Sequence, residues 1–103
     1  PFKADLWMTL TFNRSEVPAL IDALKTGRID GSQYEGECSC LKGTIATAKK
    51  VDYRTLAPNS SDPAECWFMN IKEGDTPETN LSSQLAVEWI EEWCALNSVE
   101  VKP

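Results

Sequence analysis

The chain has 103 residues, of which 42% are apolar and 25% are charged, and its formal net charge is −6. These values are typical of one soluble globular domain, residues 1–103, and they exclude a chain that is disordered throughout. Since no basic cluster exceeds the pair Lys49-Lys50, the excess of acidic side chains disfavours general binding to nucleic acid. No apolar run reaches the roughly 18 residues of a membrane-spanning helix, and no contact with a membrane is expected.

The first two predicted elements lie in the N-terminal quarter of the chain. Apolar residues alternate along residues 6–12, as in a strand, but they also fit a helical stripe that Asp5 could cap, and the helix is favoured. Residues 15–26 show clearer helical spacing. Ser15 is the expected N-cap of this second helix, and Gly27 is expected to end it in a left-handed conformation.

A polar loop with several glycines follows and leads to a third predicted helix. The loop covers residues 27–37. Residues 40–49 then place their apolar side chains on one face, and Lys49 lies at the negative end of the helix dipole. Gly43 weakens this helix but does not exclude it.

The next predicted helix starts with a strong local signal. Asp62 is a suitable N-cap, Pro63 fits the first helical position, and Glu65 is expected to close a capping box onto the N–H of Asp62. Gly74 is expected to end this helix.

The last predicted helix covers residues 81–96 and has the clearest pattern in the chain. A second start signal precedes it at Thr76, and Asn97 is expected to cap its C-terminal end. Its apolar face is predicted to consist of Leu85, Ala86, Trp89, Ile90, Trp93 and Leu96. The sequence therefore predicts a mainly α single-domain bundle of four or five short helices, with an α+β fold carrying a short strand near residues 6–12 as the alternative.

Histidine is absent, which removes the most common general base and the imidazole ligands of metal sites. Cys38, Cys40, Cys66 and Cys94 would suit zinc as a set of four thiolates. Only Cys38 and Cys40 are close in sequence, and their C-x-C spacing differs from that of the usual zinc knuckle. Reduced thiols that pack as small apolar side chains are favoured, with disulfides and zinc as alternatives, and no cofactor is expected.

The loop before the third helix concentrates acidic side chains near a tyrosine: Asp30, Tyr34, Glu35 and Glu37. Converging carboxylates could hold a cation or act as a paired acid and base in a hydrolase. Acidic residues in a loop of an acidic protein are more commonly solvated surface. Tyr34, Glu35 and Glu37 are the predicted contacts to a partner.

The tryptophans are interpreted as core residues, because aromatic side chains at helical spacing usually face the interior. They are Trp7, Trp67, Trp89 and Trp93. A tryptophan left partly exposed would be the preferred anchor for a partner.

Three phrases of the sequence resemble, in this order, segments of small uncharacterised proteins from phages, prophages and other bacteria: GRIDGSQYEGECSCLKGTIA, AECWFMNIKEGDTPETN and AVEWIEEWCA. In some of these relatives the region follows a pentapeptide-repeat stretch, and Lys3-Ala4-Asp5-Leu6 looks like one last A-D-L unit. The resemblance implies a bacterial or phage-infected cytoplasm, where thiols stay reduced. It allows the domain to be the C-terminal part of a longer protein, and it implies no particular activity.

The leading hypothesis for the function is a non-enzymatic domain that binds another protein. One alternative is a metal-dependent or carboxylate-based enzyme that uses the loop at residues 30–40. Another is an acidic mimic of nucleic acid, which requires the acidic side chains to share one face. A secreted, disulfide-bonded domain is a further alternative.

Overall fold

A computed structural model of the chain describes residues 2–32, 39–56 and 61–99, and it confirms the predicted mainly α fold. Within these residues, β structure is limited to an isolated bridge between Ile29 and Ser39. The α-helices are α1 (Phe2–Phe12), α2 (Val17–Lys25), α3 (Leu41–Lys49), α4 (Pro63–Phe68) and α5 (Leu81–Asn97). In the part of the chain that the structure describes, no helix combines the length and apolar character needed to cross a membrane.

The N-terminal segment is helical, so the alternative of a short strand near residues 6–12 is wrong. Leu6 and Leu10 lie one helical turn apart and are buried in the core. Met8 lies between them in sequence and is 55% exposed, whereas a strand would place all three side chains on the same face. The helical period therefore determines which apolar residues of this segment face the interior.

Two predicted N-caps, Asp5 and Ser15, do not occupy the N-cap positions of their helices. Because α1 begins at Phe2, Asp5 lies within its first turns and not ahead of them. Ser15 falls inside a short 3₁₀ turn, Arg14–Glu16, and α2 begins directly after this turn without a side-chain cap. Gly27 follows α2 with a φ of 74°, which confirms the predicted left-handed end.

Cysteine provides the N-cap of α3, the helix predicted for residues 40–49. Cys40 is the cap residue, and its Sγ accepts a hydrogen bond from the N–H of Gly43 at 3.5 Å. The helix ends at Lys49, and the next residue, Lys50, caps it in the left-handed conformation with a φ of 60°. The prediction for this helix is confirmed.

The predicted boundaries of the two C-terminal helices are partly wrong. α4 ends at Phe68, and Gly74 lies six residues farther on in a turn with a φ of 90°. The start predicted at Thr76 belongs to a turn. The N-cap of α5 is Asn80, whose Oδ1 accepts a hydrogen bond from the N–H of Ser83 at 3.0 Å.

Most of the predicted face of α5 packs inward, with one exception at its C-terminal end. Ala86, Ile90 and Trp93 are buried, whereas Leu96 is 68% exposed. Asn97 is the last helical residue, and the left-handed residue that ends the helix is Ser98, not Asn97. The exposed Leu96 shows that the apolar stripe extends beyond the part of α5 that the other helices cover.

The core lies where the five helices meet, and the loop after α2 and the segment after α4 also contribute to it. Its largest fully buried side chains are Leu6, Leu10, Leu20, Ile21, Leu24, Ile29, Leu41, Ile45, Phe68, Ile71, Ile90 and Trp93. Burial of these apolar surfaces is the main force that stabilises the fold.

Backbone contacts fix the loop that leaves α2 against the segment that follows α4. The N–H of Gly74 donates to the carbonyl of Gly27 at 2.8 Å, and the N–H of Gly31 donates to that of Ile71 at 2.8 Å. A Cβ atom on Gly31 would lie 2.1 Å from the carbonyl oxygen of Phe68. Glycine is therefore required at position 31, because any side chain there would push the two segments apart.

Candidate interaction surface

Four residues that the sequence singles out lie outside the described residues: Tyr34, Glu35, Glu37 and Cys38. The described residues on either side of them are tied together, because the N–H of Asp30 donates to the carbonyl of Ser39 at 2.9 Å. The hydroxyl and N–H of Ser32 bond the Asp30 carboxylate and hold its pKa below the usual value. The roles of the four residues stay predictions.

Cys40, Cys66 and Cys94 lie in the described part of the chain, and no disulfide joins any two of them. Within the described part of the chain, no group of three or more potential ligands is placed to hold a metal ion. Burial raises the pKa of Cys40 to about 12 and also raises the pKa of Cys94. Because the thiolate is the reactive form of cysteine, both positions resemble structural thiols more than nucleophiles.

A buried carboxylate joins α4 to the start of α3. Glu65 is 2% exposed, and its carboxylate oxygens accept hydrogen bonds from the N–H groups of Leu41 and Lys42 at 3.1 and 3.2 Å. The Cys40 thiol donates to the same carboxylate at 3.5 Å. The predicted capping box on Asp62 is therefore wrong, since Glu65 caps a different helix. This arrangement stabilises the fold and does not present the carboxylate to a substrate.

The interpretation of the tryptophans as core residues is confirmed for Trp93, which is 2% exposed. Trp7, Trp67 and Trp89 are half-buried and pack against the core. Trp7 donates its indole N–H to the carbonyl of Trp89, and Trp67 donates to the carbonyl of Ser82, each at 2.9 Å. These bonds fix the rings of Trp7 and Trp67 between helices.

A groove of about 530 Å³ lies between α1, α3 and the 3₁₀ turn Tyr53–Leu56. Its lining residues are Asp5, Met8, Thr9, Phe12, Asn13, Lys42, Lys49, Thr55, Leu56 and Asp62. On α1 the groove is lined by two apolar side chains, Met8 and Phe12, and by two polar ones, Asp5 and Thr9. Charged side chains of both signs lie at its edges. It is called the α1 groove below.

The apolar edge of the α1 groove is strongly exposed. Met8 is 55% exposed and Phe12 is 77% exposed, and the two side chains lie one turn apart on the same face of α1. Single exposed apolar residues are normal on protein surfaces, but two large ones beside a groove form a patch of the kind that binds proteins. A hydrophobic patch next to a concave surface is the strongest functional feature among the described residues.

The charged edges of the α1 groove are already part of the fold. The carboxylate of Asp5 accepts a hydrogen bond from the N–H of Ala64 at 3.0 Å, and Lys42 donates its Nζ to the carbonyl of Leu56 at 3.1 Å. Lys49 pairs with Glu16 at 3.2 Å. These contacts hold the edges of the groove in place, so the groove is preformed.

A smaller cleft of about 300 Å³ lies between α2 and α3, and its polar side chains bond to one another. Asp22 pairs with Arg28, and the hydroxyl of Ser39 lies 3.2 Å from that of Thr44. Because these groups already have partners within the protein, the cleft is a weaker candidate for a binding site than the α1 groove.

The spacing of Met8 and Phe12 could have predicted the exposed patch from the sequence. The alternation of apolar residues along residues 6–12 hides this spacing. In a helix with Leu6 and Leu10 inside, residues 8 and 12 share a different face. Two large apolar residues at i and i+4 outside the core stripe predict an exposed patch. In contrast, no local pattern indicates that Glu65 or Asp5 would cap other helices.

Comparison with models of known protein families, with curated proteins and with solved structures finds no significant match to this chain.

Proposed function

We propose that this domain is a non-enzymatic protein-interaction module and that the α1 groove is its contact surface. The observation that carries the proposal is the exposure of Met8 and Phe12 beside a preformed groove. Covering such a pair releases water from apolar surface, which is the main source of free energy in most protein–protein association. The rigid edges of the groove lower the entropic cost of binding.

The described residues give less support to the alternative functions. An acidic nucleic-acid mimic needs a continuous band of unpaired acidic side chains, but Glu16, Glu91 and Glu92 each form an ion pair with a lysine. An enzyme needs an accessible acid, base or nucleophile, and the carboxylate of Glu65 and the thiol of Cys40 are buried. The exposed pair Met8 and Phe12 is apolar, which favours a protein partner.

The resemblance to phage and bacterial proteins is part of the proposal. It implies a domain that works in the cytoplasm of a bacterium or a phage-infected cell, with another protein as its partner. Such a compartment keeps thiols reduced, and no disulfide joins Cys40, Cys66 and Cys94 to one another.

Site-specific photo-crosslinking in the cells that produce the protein tests this function. The photoreactive amino acid p-benzoylphenylalanine replaces Phe12 in one variant and Glu88, an exposed residue of α5, in the control variant. We expect the Phe12 variant to form discrete protein adducts that the control does not form. Excess unlabelled wild type should compete for these adducts, whereas excess Met8→Glu protein should not. Equal labelling from both positions would contradict the proposed contact surface.

A further inference from the structure

We propose that oxidation of Met8 to methionine sulfoxide prevents the partner from binding to the α1 groove, so that the groove is a redox-sensitive contact surface. The inference rests on the proposed function and adds a means of regulating it. Three observations support it: the exposure of the Met8 side chain, its position in the groove, and the burial of two cysteine thiols.

The side chain of Met8 is open to a soluble oxidant in the free domain. Met8 is 55% exposed, so a small peroxide can reach its sulfur. The chain has one other methionine, Met69, which is 47% exposed. Both side chains are therefore accessible to a peroxide, but Met8 lines the α1 groove and Met69 does not. Met69 thus provides a matched control within the same chain.

The reaction transfers one oxygen atom from hydrogen peroxide to the thioether sulfur. The sulfur lone pair attacks one oxygen of the peroxide, the O–O bond breaks, and an S–O bond forms. The sulfur gives up two electrons, and the leaving hydroxide takes the proton of the transferred oxygen and departs as water. Methionine sulfoxide reductases reverse this oxidation, so the modification can act as a switch.

The sulfoxide changes the apolar edge of the α1 groove. A thioether is apolar, whereas a sulfoxide is polar and has a strong hydrogen-bond acceptor. A partner that covers Met8 and Phe12 would have to remove this oxygen from water. Because burial of a polar group without a hydrogen-bond partner is unfavourable, we expect oxidation of Met8 to weaken binding at least about tenfold.

Two of the cysteine thiols are poor competitors for the oxidant. Cys40 is 3% exposed and Cys94 is 4% exposed, and burial raises the pKa of both thiols. Since the thiolate is the form that peroxides oxidise, these positions react slowly. Cys66 is half-buried. A thiol reductant added after the peroxide reverses disulfides and sulfenic acids but leaves methionine sulfoxide in place, so the two kinds of oxidation can be separated.

Competition for the Phe12 crosslinker tests the switch. The purified variant with p-benzoylphenylalanine in place of Phe12 is mixed with a lysate of the producing cells, and unlabelled protein competes for its adducts. The competitors are Met69→Leu, which retains Met8, and the matched variant Met8→Leu. Each is used untreated and after hydrogen peroxide followed by dithiothreitol, with both reagents removed.

Each competitor is compared with its own untreated sample. We expect the treatment to raise the concentration of Met69→Leu that halves the adduct yield at least about tenfold. The corresponding value for Met8→Leu should change by less than about twofold, because its groove contains no methionine. Methionine sulfoxide reductase should restore competition by treated Met69→Leu. Peptide mass spectrometry should find one added oxygen on Met8, and circular dichroism should show that the helices persist.

The alternative outcomes contradict the switch. Undiminished competition by treated Met69→Leu would overturn it, as would a Met8 that peroxide leaves unmodified. An equal loss of competition for both variants would assign the effect to other residues, and a loss of helices would assign it to unfolding. If the Phe12 crosslinker forms no discrete adducts, the proposed function fails together with the switch. Adducts that form but do not respond to oxidation of Met8 contradict the switch alone.

Discussion

Among the described residues, Glu65 is the charged side chain that the fold buries. Burial raises its pKa, while the bonds from Lys42, Cys40 and Leu41 act in the opposite direction. The carboxylate lies at the positive end of the α3 dipole and replaces the water that would otherwise satisfy the first N–H groups of the helix. Its removal would leave these donors buried without an acceptor.

The first prediction concerns the role of Glu65 in stability. Glu65→Ala is expected to lower the free energy of unfolding by about 2 kcal/mol, because the buried N–H of Leu41 and the half-buried N–H of Lys42 lose their acceptor. Glu65→Gln should lie between this variant and wild type, since its amide retains one acceptor oxygen. Urea denaturation followed by circular dichroism measures the differences.

The control for Glu65 is Glu88, an exposed glutamate in α5. Glu88→Ala should change the free energy of unfolding by no more than about 0.5 kcal/mol. If Glu65→Ala were as mild as Glu88→Ala, the carboxylate would not be the acceptor on which α3 depends.

At the scale of the elements, the helices cap one another. Asp5 in α1 accepts a hydrogen bond from the N–H of Ala64 in α4, and Glu65 in α4 accepts from the first N–H groups of α3. Asp62 occupies the cap position of α4 but makes no side-chain cap bond. The sequence identifies all three as capping residues, but the tertiary structure changes which helix two of them serve.

Because Asp5 and not Asp62 caps α4, replacing Asp5 should destabilise the protein more than replacing Asp62. Asp5→Ala should destabilise the protein by about 1 kcal/mol, the typical cost of losing an N-cap. Asp62→Ala should cost less than about 0.5 kcal/mol, although it is the residue that the sequence assigns as the cap. Urea denaturation followed by circular dichroism measures both losses. A larger loss for Asp62→Ala than for Asp5→Ala would show that the local cap dominates.

At the scale of the whole molecule, the N-terminal and C-terminal helices are joined side by side. The indole of Trp7 donates to the carbonyl of Trp89, Lys3 pairs with Glu92 at 2.9 Å, and Arg14 donates to the carbonyl of Asn97. These contacts link residues more than 80 positions apart in sequence. Unfolding is therefore expected to be a single cooperative transition, as in most small domains.

The pH dependence of this transition follows from the buried thiol. The pKa of Cys40 rises from 9.0 to about 12 on folding, first because of burial and then because of the charge of Glu65. Between these values the folded state binds one more proton than the unfolded state. The stability that this group contributes is therefore complete below pH 9.0 and decreases as the pH rises toward 12.

Comparison with Cys40→Ser isolates this effect. Above pH 9.0 the free energy of unfolding of wild type should fall relative to that of Cys40→Ser by about 1.4 kcal/mol per pH unit. Urea denaturation from pH 7 to 10.5 in the presence of a reducing agent measures the difference. Parallel curves for the two proteins would show that Cys40 ionises equally well in the folded state.

The sequence predicts much of the fold but not the groove that forms the candidate site. Helical spacing predicts the long C-terminal helix and its buried face, because Ala86, Ile90 and Trp93 recur with the helical period. The groove beside Met8 and Phe12 depends on how far α3 lies from α1, which no local pattern encodes. Leu96 is another example, since it continues the apolar stripe of α5 in the sequence but is exposed in the structure.

The sequence by itself determined the class of the fold, the positions of most helices and the residue types that could cap them. These features follow from local physical chemistry: helical periodicity, the left-handed conformation of Gly27, and the capping oxygens of short polar side chains. Only the tertiary structure decided that Asp5 and Glu65 cap neighbouring helices and that Met8 and Phe12 stay exposed. The reason is that burial and hydrogen bonding depend on which segments meet in space, and contacts between distant residues leave no periodic signal in the chain.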